Sequence, residues 1–320
     1  MEFGFQVRTS RAGTSPEGLI RQAQLGEALG FDIVAVPDHV VVPRTIKSTY
    51  PYSKDGSFGG AAAGECLEQL TVCMFLAAHT SRIRVLTSVM VMPHRPPVLA
   101  AKILATIDVL SRGRLIVGVG AGWMKEEFEA LGAPPYEHRG TVVVEYLQAF
   151  RELWTADNPV FEGKYARVSD VKFLPKPVQK PHPPIWVGGE SPAALRRAGR
   201  LGNAWYPIGN NPSFPMDTIA RLEQALDAVR GHAEASGRHR DEVGLAYNAQ
   251  WHNDRTASTA HGGQRPLLSG SPEQVAADIR KLNEIGVQHL IVGFGGESLD
   301  ETLLQMDRFA VDVKPLVDSR

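Results

Sequence analysis

Apolar residues in this chain fall into short continuous runs separated by longer stretches of helical periodicity. The runs Phe3–Val7, Phe31–Val36, Arg82–Val91, Leu115–Val119, Ile185–Val187, Asn203–Tyr206, Val243–Ala249 and Gln288–Val292 read as strands. The clearest of them are rich in Val and Ile without polar alternation, the pattern of parallel strands covered by helices on both faces. Between them the spacing predicts helices over about Pro16–Leu29, Glu65–His79, Pro96–Leu110, Lys125–Trp154 (broken at Gly132–Pro135), Pro192–Arg200, Met216–Ser236, Pro272–Ile285 and Asp300–Val311. Thr14-Ser15-Pro16 and Gly30 bracket the first helix as start and stop signals. The helix opened by Pro96-Pro97 carries Leu99, Ile103, Ile107 and Leu110 as an apolar stripe.

Eight strands alternating with helices predict an α/β chain folded as one (β/α)8 TIM barrel over residues 1–320, with a doubly wound open sheet as the alternative. Three longer segments, about 42–64, 157–184 and 252–270, read as insertions at the C-terminal face of the strands. The first and third are candidate lids, and Glu162-Gly163 suggests a hairpin in the second. No short repeat or dividing linker is visible.

Composition narrows the function without naming it. The chain is 43% hydrophobic and 22% charged with a net charge of −1, an ordinary globular balance. Basic residues are scattered, which disfavours nucleic-acid and anionic membrane partners. No run approaches the ~18 apolar residues of a membrane span, and the first residues enter a strand with no leader pattern before it, so a cytoplasmic protein is expected. Cys66 and Cys73, read as sharing a helix, would sit about 10 Å apart and form no disulfide.

In such a barrel chemistry belongs at the C-terminal ends of the strands. There the sequence places Asp38-His39, Thr87-Ser88-Val89, Gly118-Val-Gly120-Ala121-Gly122-Trp123 and Gly188-Gly189-Glu190-Ser191-Pro192. Two glycines followed by Ser-Pro at a helix start suit a phosphate, through free N–H groups and the helix dipole; a plain N-capped turn is the other reading. Glu190 is awkward beside a phosphate unless it points away. The glycines from Gly118 to Gly122 would let a flat ligand approach the backbone, although a simple strand-to-helix turn serves as well. Asp38-His39 is a candidate acid–base pair, with the reservation that neighbours on a strand point to opposite faces. No metal-ligand spacing and no Gly-x-Ser-x-Gly elbow occurs.

Taken together, Thr87-Ser88-Val89, Leu110-Ser-Arg-Gly-Arg114, Gly118–Trp123, Glu126–Leu131, Val187–Pro192 and Gly270–Val275 resemble the bacterial luciferase-like monooxygenase superfamily, in particular its deazaflavin (coenzyme F420)-dependent oxidoreductase branch. The resemblance implies a homodimeric barrel with the cofactor ring at the strand C-termini. It implies a non-proline cis peptide at Ser88–Val89 behind the ring, and Asp38, Gly120, Ala121, Gly122, Gly189, Glu190, Ser191 and Ala193 along the cofactor. His39 would serve at the carbon that exchanges hydride. In the sugar-phosphate dehydrogenases of that branch an acid stands where this chain has Trp123, and lysines grip the substrate phosphate where this chain has Gly209–Pro212. A small apolar substrate with a C=C or C=O bond, facing Trp123, is therefore expected. An FMN-dependent monooxygenase and a non-catalytic flavin-binding barrel are the alternatives.

Overall fold

The first strand, β1 (Glu2–Gln6), pairs in parallel with β2 (Ile33–Val36) on one side and with the last strand, β8 (Val287–Gly293), on the other. The remaining strands, β3 (Arg84–Thr87), β4 (Leu115–Gly120), β5 (Ile185–Gly188), β6 (Ala204–Tyr206) and β7 (Gly244–Gln250), run in sequence order between them, each bonded to the next. Every pairing is parallel, and the sheet closes on itself as the expected (β/α)8 barrel. This computed structural model describes residues 1–9, 14–59, 64–250 and 265–318.

Alternation along the strands sorts the core into two layers. Ile33, Ala35, Leu86, Ile116, Trp186, Ala204, Tyr206, Ala246 and Ile291 fill the barrel interior. Their neighbours, among them Val34, Val36, Val85, Val117, Val187 and Leu290, pack outward against the helices. Both faces are buried, which is why the runs lack polar alternation.

The helices around the barrel are α1 (Pro16–Ala28), α2 (Gln69–Ala78), α3 (Pro97–Leu110), α4 (Lys125–Leu131), α5 (Arg139–Thr155), α6 (Pro192–Leu201), α7 (Ile219–Glu234), α8 (Pro272–Glu284) and α9 (Leu299–Arg308). Ser15, Ser191, Thr218, Ser271 and Ser298 each cap a helix by accepting a backbone N–H. None of the helices among the described residues is long and apolar enough to cross a membrane.

Several details depart from the sequence expectations. The run Arg82–Val91 is not one strand: β3 ends at Thr87, the Ser88–Val89 peptide is cis, and a two-residue strand, Met90–Val91, then rejoins the end of β4. Helix α2 starts at Gln69, where Glu68 caps it, so Cys66 precedes the helix; both cysteines are free. The stripe expected on α3 is split. Ala100, Ala101, Leu104, Ile107 and Asp108 are buried, whereas Leu99 and Leu110 are 55% and 61% exposed.

The 157–184 segment does not lie at the C-terminal face. It leads from the end of α5 back to the start of β5, and such a connection must end at the opposite mouth of the barrel. It carries the expected hairpin (Phe161–Glu162 with Arg167–Val168), and it is tied to α3 and the start of β4 by hydrogen bonds from Gln179 to Asp108 and to the Leu115 carbonyl.

Candidate active site

A cavity of about 460 Å³ opens at the C-terminal ends of the strands. Its size is that of a pocket for a cofactor and a small substrate. Residues 49–52, the turn after β4, the start of α6 and the β6–α7 connection enclose it. Of the other expected lid, residues 251–264 lie outside the described residues.

His39 stands on the cavity wall just beyond β2, with 19% of its side chain exposed. Its partner is not Asp38. The His39 Nδ1 lies 2.9 Å from Oε2 of Glu127, on α4, whose other oxygen accepts the N–H groups of Val40 at 2.7 Å and Val41 at 3.2 Å. Burial works against the Glu127 carboxylate, but the His39 hydrogen bond, the imidazoles of His39 and His94, and the Val40 amide together hold it below the ordinary glutamate range. An ionised carboxylate only accepts, so Nδ1 of His39 carries the hydrogen and Nε2 is left as a base. His94, buried beneath, comes within 4.0 Å of Glu127, and burial keeps it toward the neutral form.

Asp38 points the other way, as adjacent residues on an extended segment should. It accepts both Nη groups of Arg95, at 2.8 and 2.9 Å, and the Val91 N–H at 2.8 Å; Arg95 also reaches Glu68. The expected Asp38–His39 pair is thus replaced by two separate units. Asp38 with Arg95 holds the chain just past the cis peptide, and Glu127 holds His39.

Two aromatic rings, Phe58 and Trp123, flank the histidine, and two more extend the cluster. Phe58 lies 4.9 Å from the His39 ring and 5.3 Å from Trp123, while Tyr50 stands 5.1 Å from Trp123 and 5.2 Å from Phe58. Tyr52 continues the cluster 5.6 Å from Tyr50. Trp123 lines the cavity, and Tyr50 and Phe58 pack on it to make an apolar chamber.

Across the barrel mouth the wall is polar. Ser88 Oγ lies 3.0 Å from the Tyr206 hydroxyl, which accepts the Asn248 Nδ2 at 3.1 Å. Burial pushes the Tyr206 phenol far up, so it stays a neutral hydroxyl. The glycines behind this wall are also required by the packing of the strands. A Cβ on Gly118 would meet the Thr87 carbonyl oxygen at 2.1 Å, and one on Gly120 would meet Val89 Cγ2 at 2.7 Å. They make room for the end of β3 and for Val89 itself; a ligand touches what that arrangement leaves. Gly120, Ala121, Gly122 and Val89 do line the cavity.

At the far end, Gly189 and Ser191 bring the start of α6 to the cavity. Ala193 is exposed and faces outward; Ala194 takes the place expected for it. Glu190 turns away from the helix start, accepting the Ile208 N–H at 2.8 Å and the Asn211 amide at 2.7 Å. Burial raises its pKa to about 7, against which these two hydrogen bonds work. The sequence puts Arg196, Arg197 and Arg200 on this helix without fixing which way they face; Arg197, one turn along α6, is the one that reaches the cavity. It is buried on the cavity wall, makes one long hydrogen bond (3.4 Å) to the Gly140 carbonyl, and leaves Nε without a partner. Arg139 lines the same end. A buried guanidinium with no carboxylate opposite it among the described residues, beside a helix N-terminus, fits a phosphate. Among the described residues no cluster of His, Cys, Asp and Glu could hold a metal ion.

Residues 1–262 match the family model described as luciferase-like monooxygenase. A protein of Mycobacterium tuberculosis, itself uncharacterised, is 32% identical over 279 residues, which cover 87% of this chain and 94% of its own. The FMNH2-dependent dimethylsulfone monooxygenase of Pseudomonas putida is 35% identical over 225 residues, 70% of this chain and 55% of that protein. Among solved structures, an F420-dependent secondary alcohol dehydrogenase in complex with an F420-acetone adduct superposes with a TM-score of 0.77 at 18% identity over 99% of both chains, a likeness of fold alone. The barrel, the cis peptide after β3 and the match over most of the chain lead to one conclusion: this protein belongs to the luciferase-like monooxygenase family, whose members are oxidoreductases and monooxygenases.

Proposed function

We propose that the protein is an F420-dependent oxidoreductase acting on a small, apolar organic substrate with a C=O or C=C bond, or its reduced form, and that it works as a homodimer. The observation that carries this reading is His39: an imidazole fixed by a buried carboxylate, facing an aromatic chamber at one end of a cavity whose other end fits a phosphate. When bound, the deazaflavin supplies a hydride donor or acceptor at C5. The chain supplies the rest. Ser191, the α6 N-terminus, Arg197 and Arg139 would hold the phosphate; the Ser88–Val89 peptide and the Gly120–Gly122 turn would back the ring. Trp123, Tyr50 and Phe58 exclude water and favour an apolar substrate, and Nε2 of His39 exchanges a proton with the substrate.

A second reading is favoured by the likeness to the dimethylsulfone monooxygenase: the same site would take reduced FMN and use oxygen. Titration of the apoprotein with each cofactor, then turnover of a panel of alcohols, ketones and enones with and without oxygen, separates the two. Submicromolar F420 binding and oxygen-independent turnover are expected; tight FMN binding with oxygen-dependent product overturns the deazaflavin reading. His39→Ala should lower turnover by about 10²–10⁴-fold while leaving cofactor affinity nearly unchanged.

A further inference from the structure

The proton step just described rests on His39 presenting a free Nε2 to the cavity, and nothing in the sequence motifs assigns what makes it do so. We infer that Glu127 is the positioning residue of the reaction: it fixes the His39 ring with the hydrogen on Nδ1, and it balances the positive charge His39 acquires when it takes a proton from the substrate.

Three observations converge on this residue. Glu127 is 1% exposed, and its two oxygens accept from the His39 ring and from the two backbone N–H groups that follow His39. It therefore orients both the imidazole and the chain that bears it. The nearer carboxylate in sequence, Asp38, is fully engaged by Arg95 and the Val91 N–H, so it cannot share the task. Among the described residues no lysine or arginine forms an ion pair with Glu127; its ion-pair partners could only be the two imidazoles, His39 at 2.9 Å and His94 at 4.0 Å.

The groups around the carboxylate reinforce the point. From β2 and its loop come His39 and, facing away, Asp38; from the turn after the cis peptide come His94 and Arg95, the latter neutralised by Asp38 and Glu68; the Cys66 thiol lies before α2, its own ionisation disfavoured by burial and by Glu127 and Asp38. A buried carboxylate without a permanent cation opposite it stabilises an imidazolium when one forms. In the direction of oxidation, the bound coenzyme would accept the hydride of the substrate C–H bond, and the O–H proton would pass to Nε2 of His39 as the C=O bond forms. The imidazolium then sits against Glu127. Reduction runs the same steps backwards.

The test uses ¹⁵N NMR of the histidine rings in the cofactor-free protein, with His39 assigned by its disappearance in His39→Asn. At pH 8 the wild-type His39 should be in the Nδ1–H tautomer. In Glu127→Gln the side-chain oxygen still accepts from Val40 and Val41 while the new amide donates to Nδ1, so the hydrogen should move to Nε2. With whichever cofactor supports turnover, the same variant should lose about 100-fold or more in kcat with KM and cofactor affinity within about twofold. An Nε2–H tautomer in the wild type, which needs no variant to fold, overturns the proposal, as does an unchanged tautomer in Glu127→Gln. Because the NMR arm uses no cofactor, a correct tautomer without F420 turnover would retain Glu127 and reject the deazaflavin reading instead.

Discussion

Glu190 is a carboxyl placed where a carboxylate is costly, and its titration can be read in stability. Its folded pKa of about 7 lies above the ordinary 4.5 because burial disfavours the charge. Between those values the folded chain holds a proton that the unfolded chain has released. Glu190 therefore contributes most at low pH, and its contribution declines as pH rises toward and past 7, by roughly 3 kcal/mol over the interval. His94 works oppositely, since burial depresses its folded value and stability is lost as pH falls below its ordinary 6.5. Comparing wild type with Glu190→Gln cancels the histidine: melting temperatures at pH 5 to 8 should show the wild type losing several degrees relative to the variant as pH rises. A difference that stays constant across that range rejects a neutral Glu190. Its orientation was half legible in the sequence, because a carboxylate beside a phosphate cradle is repulsive and must turn aside. The partner of His39 was not legible. Adjacency suggested Asp38, whereas the strand geometry that separates neighbours delivers Glu127 from 88 residues away, hidden in what reads as the acidic first turn of a helix.

At the level of elements, the N-terminal turn of α4 organises the chamber. Glu127 holds the loop at residues 39–41, and Glu126 accepts the N–H groups of Lys47 and Ser48 and the Ser48 hydroxyl at 2.7 Å. Those anchors lead directly to Tyr50 and Phe58, which pack on Trp123. Glu126→Ala removes three hydrogen bonds, at about 1 kcal/mol each. Amide exchange at Lys47 and Ser48 should speed by tenfold or more, with exchange in the barrel strands unaltered; unchanged rates would mean that packing alone seats the loop. The β3–β4 contact gives a second expectation at this scale. Gly118→Ala drives a methyl into the Thr87 carbonyl and should cost about 2 kcal/mol or more in denaturant melts. The strands were readable because runs buried on both faces have a simple signature. The lid was readable only as a long loop, since its aromatic residues show no period and acquire meaning from Trp123 on another element. The placement of residues 157–184 was a topological matter: a segment between a helix and the next strand belongs to the far mouth of the barrel, whatever its composition.

For the molecule as a whole, the outer surface carries an exposed apolar face that bears on its assembly. Helix α3 is apolar nearly all round, and the barrel can cover only one side of it. Leu99 and Leu110, three turns apart on the same side, remain 55% and 61% exposed. The 157–184 segment extends the patch with Leu174 and Val178, 65% and 48% exposed, through the bonds of Lys102 to the Leu174 carbonyl and of the Val178 N–H to Asp108. Exposed leucines grouped in this way mark a contact surface. A helix stripe that meets its own copy across a two-fold axis is the simplest self-complementary solution, since each leucine then finds an equivalent partner. This is the face on which the proposed homodimer would form. Sedimentation of the wild type should give twice the chain mass, and Leu99→Lys combined with Leu110→Lys should give a monomer with an unchanged far-ultraviolet circular dichroism spectrum. A wild type that sediments as a monomer removes the homodimer, and a dimer that survives both lysines moves its interface elsewhere. The site gives the result a further use. Helix α3 connects β3, which ends at the cis peptide, to β4, which ends at the Gly120–Gly122 turn. Cover on its outer face therefore steadies the element that joins two walls of the cavity, and the monomeric variant should melt at a lower temperature than the dimer while keeping the Nδ1–H tautomer of His39, whose support comes from α4.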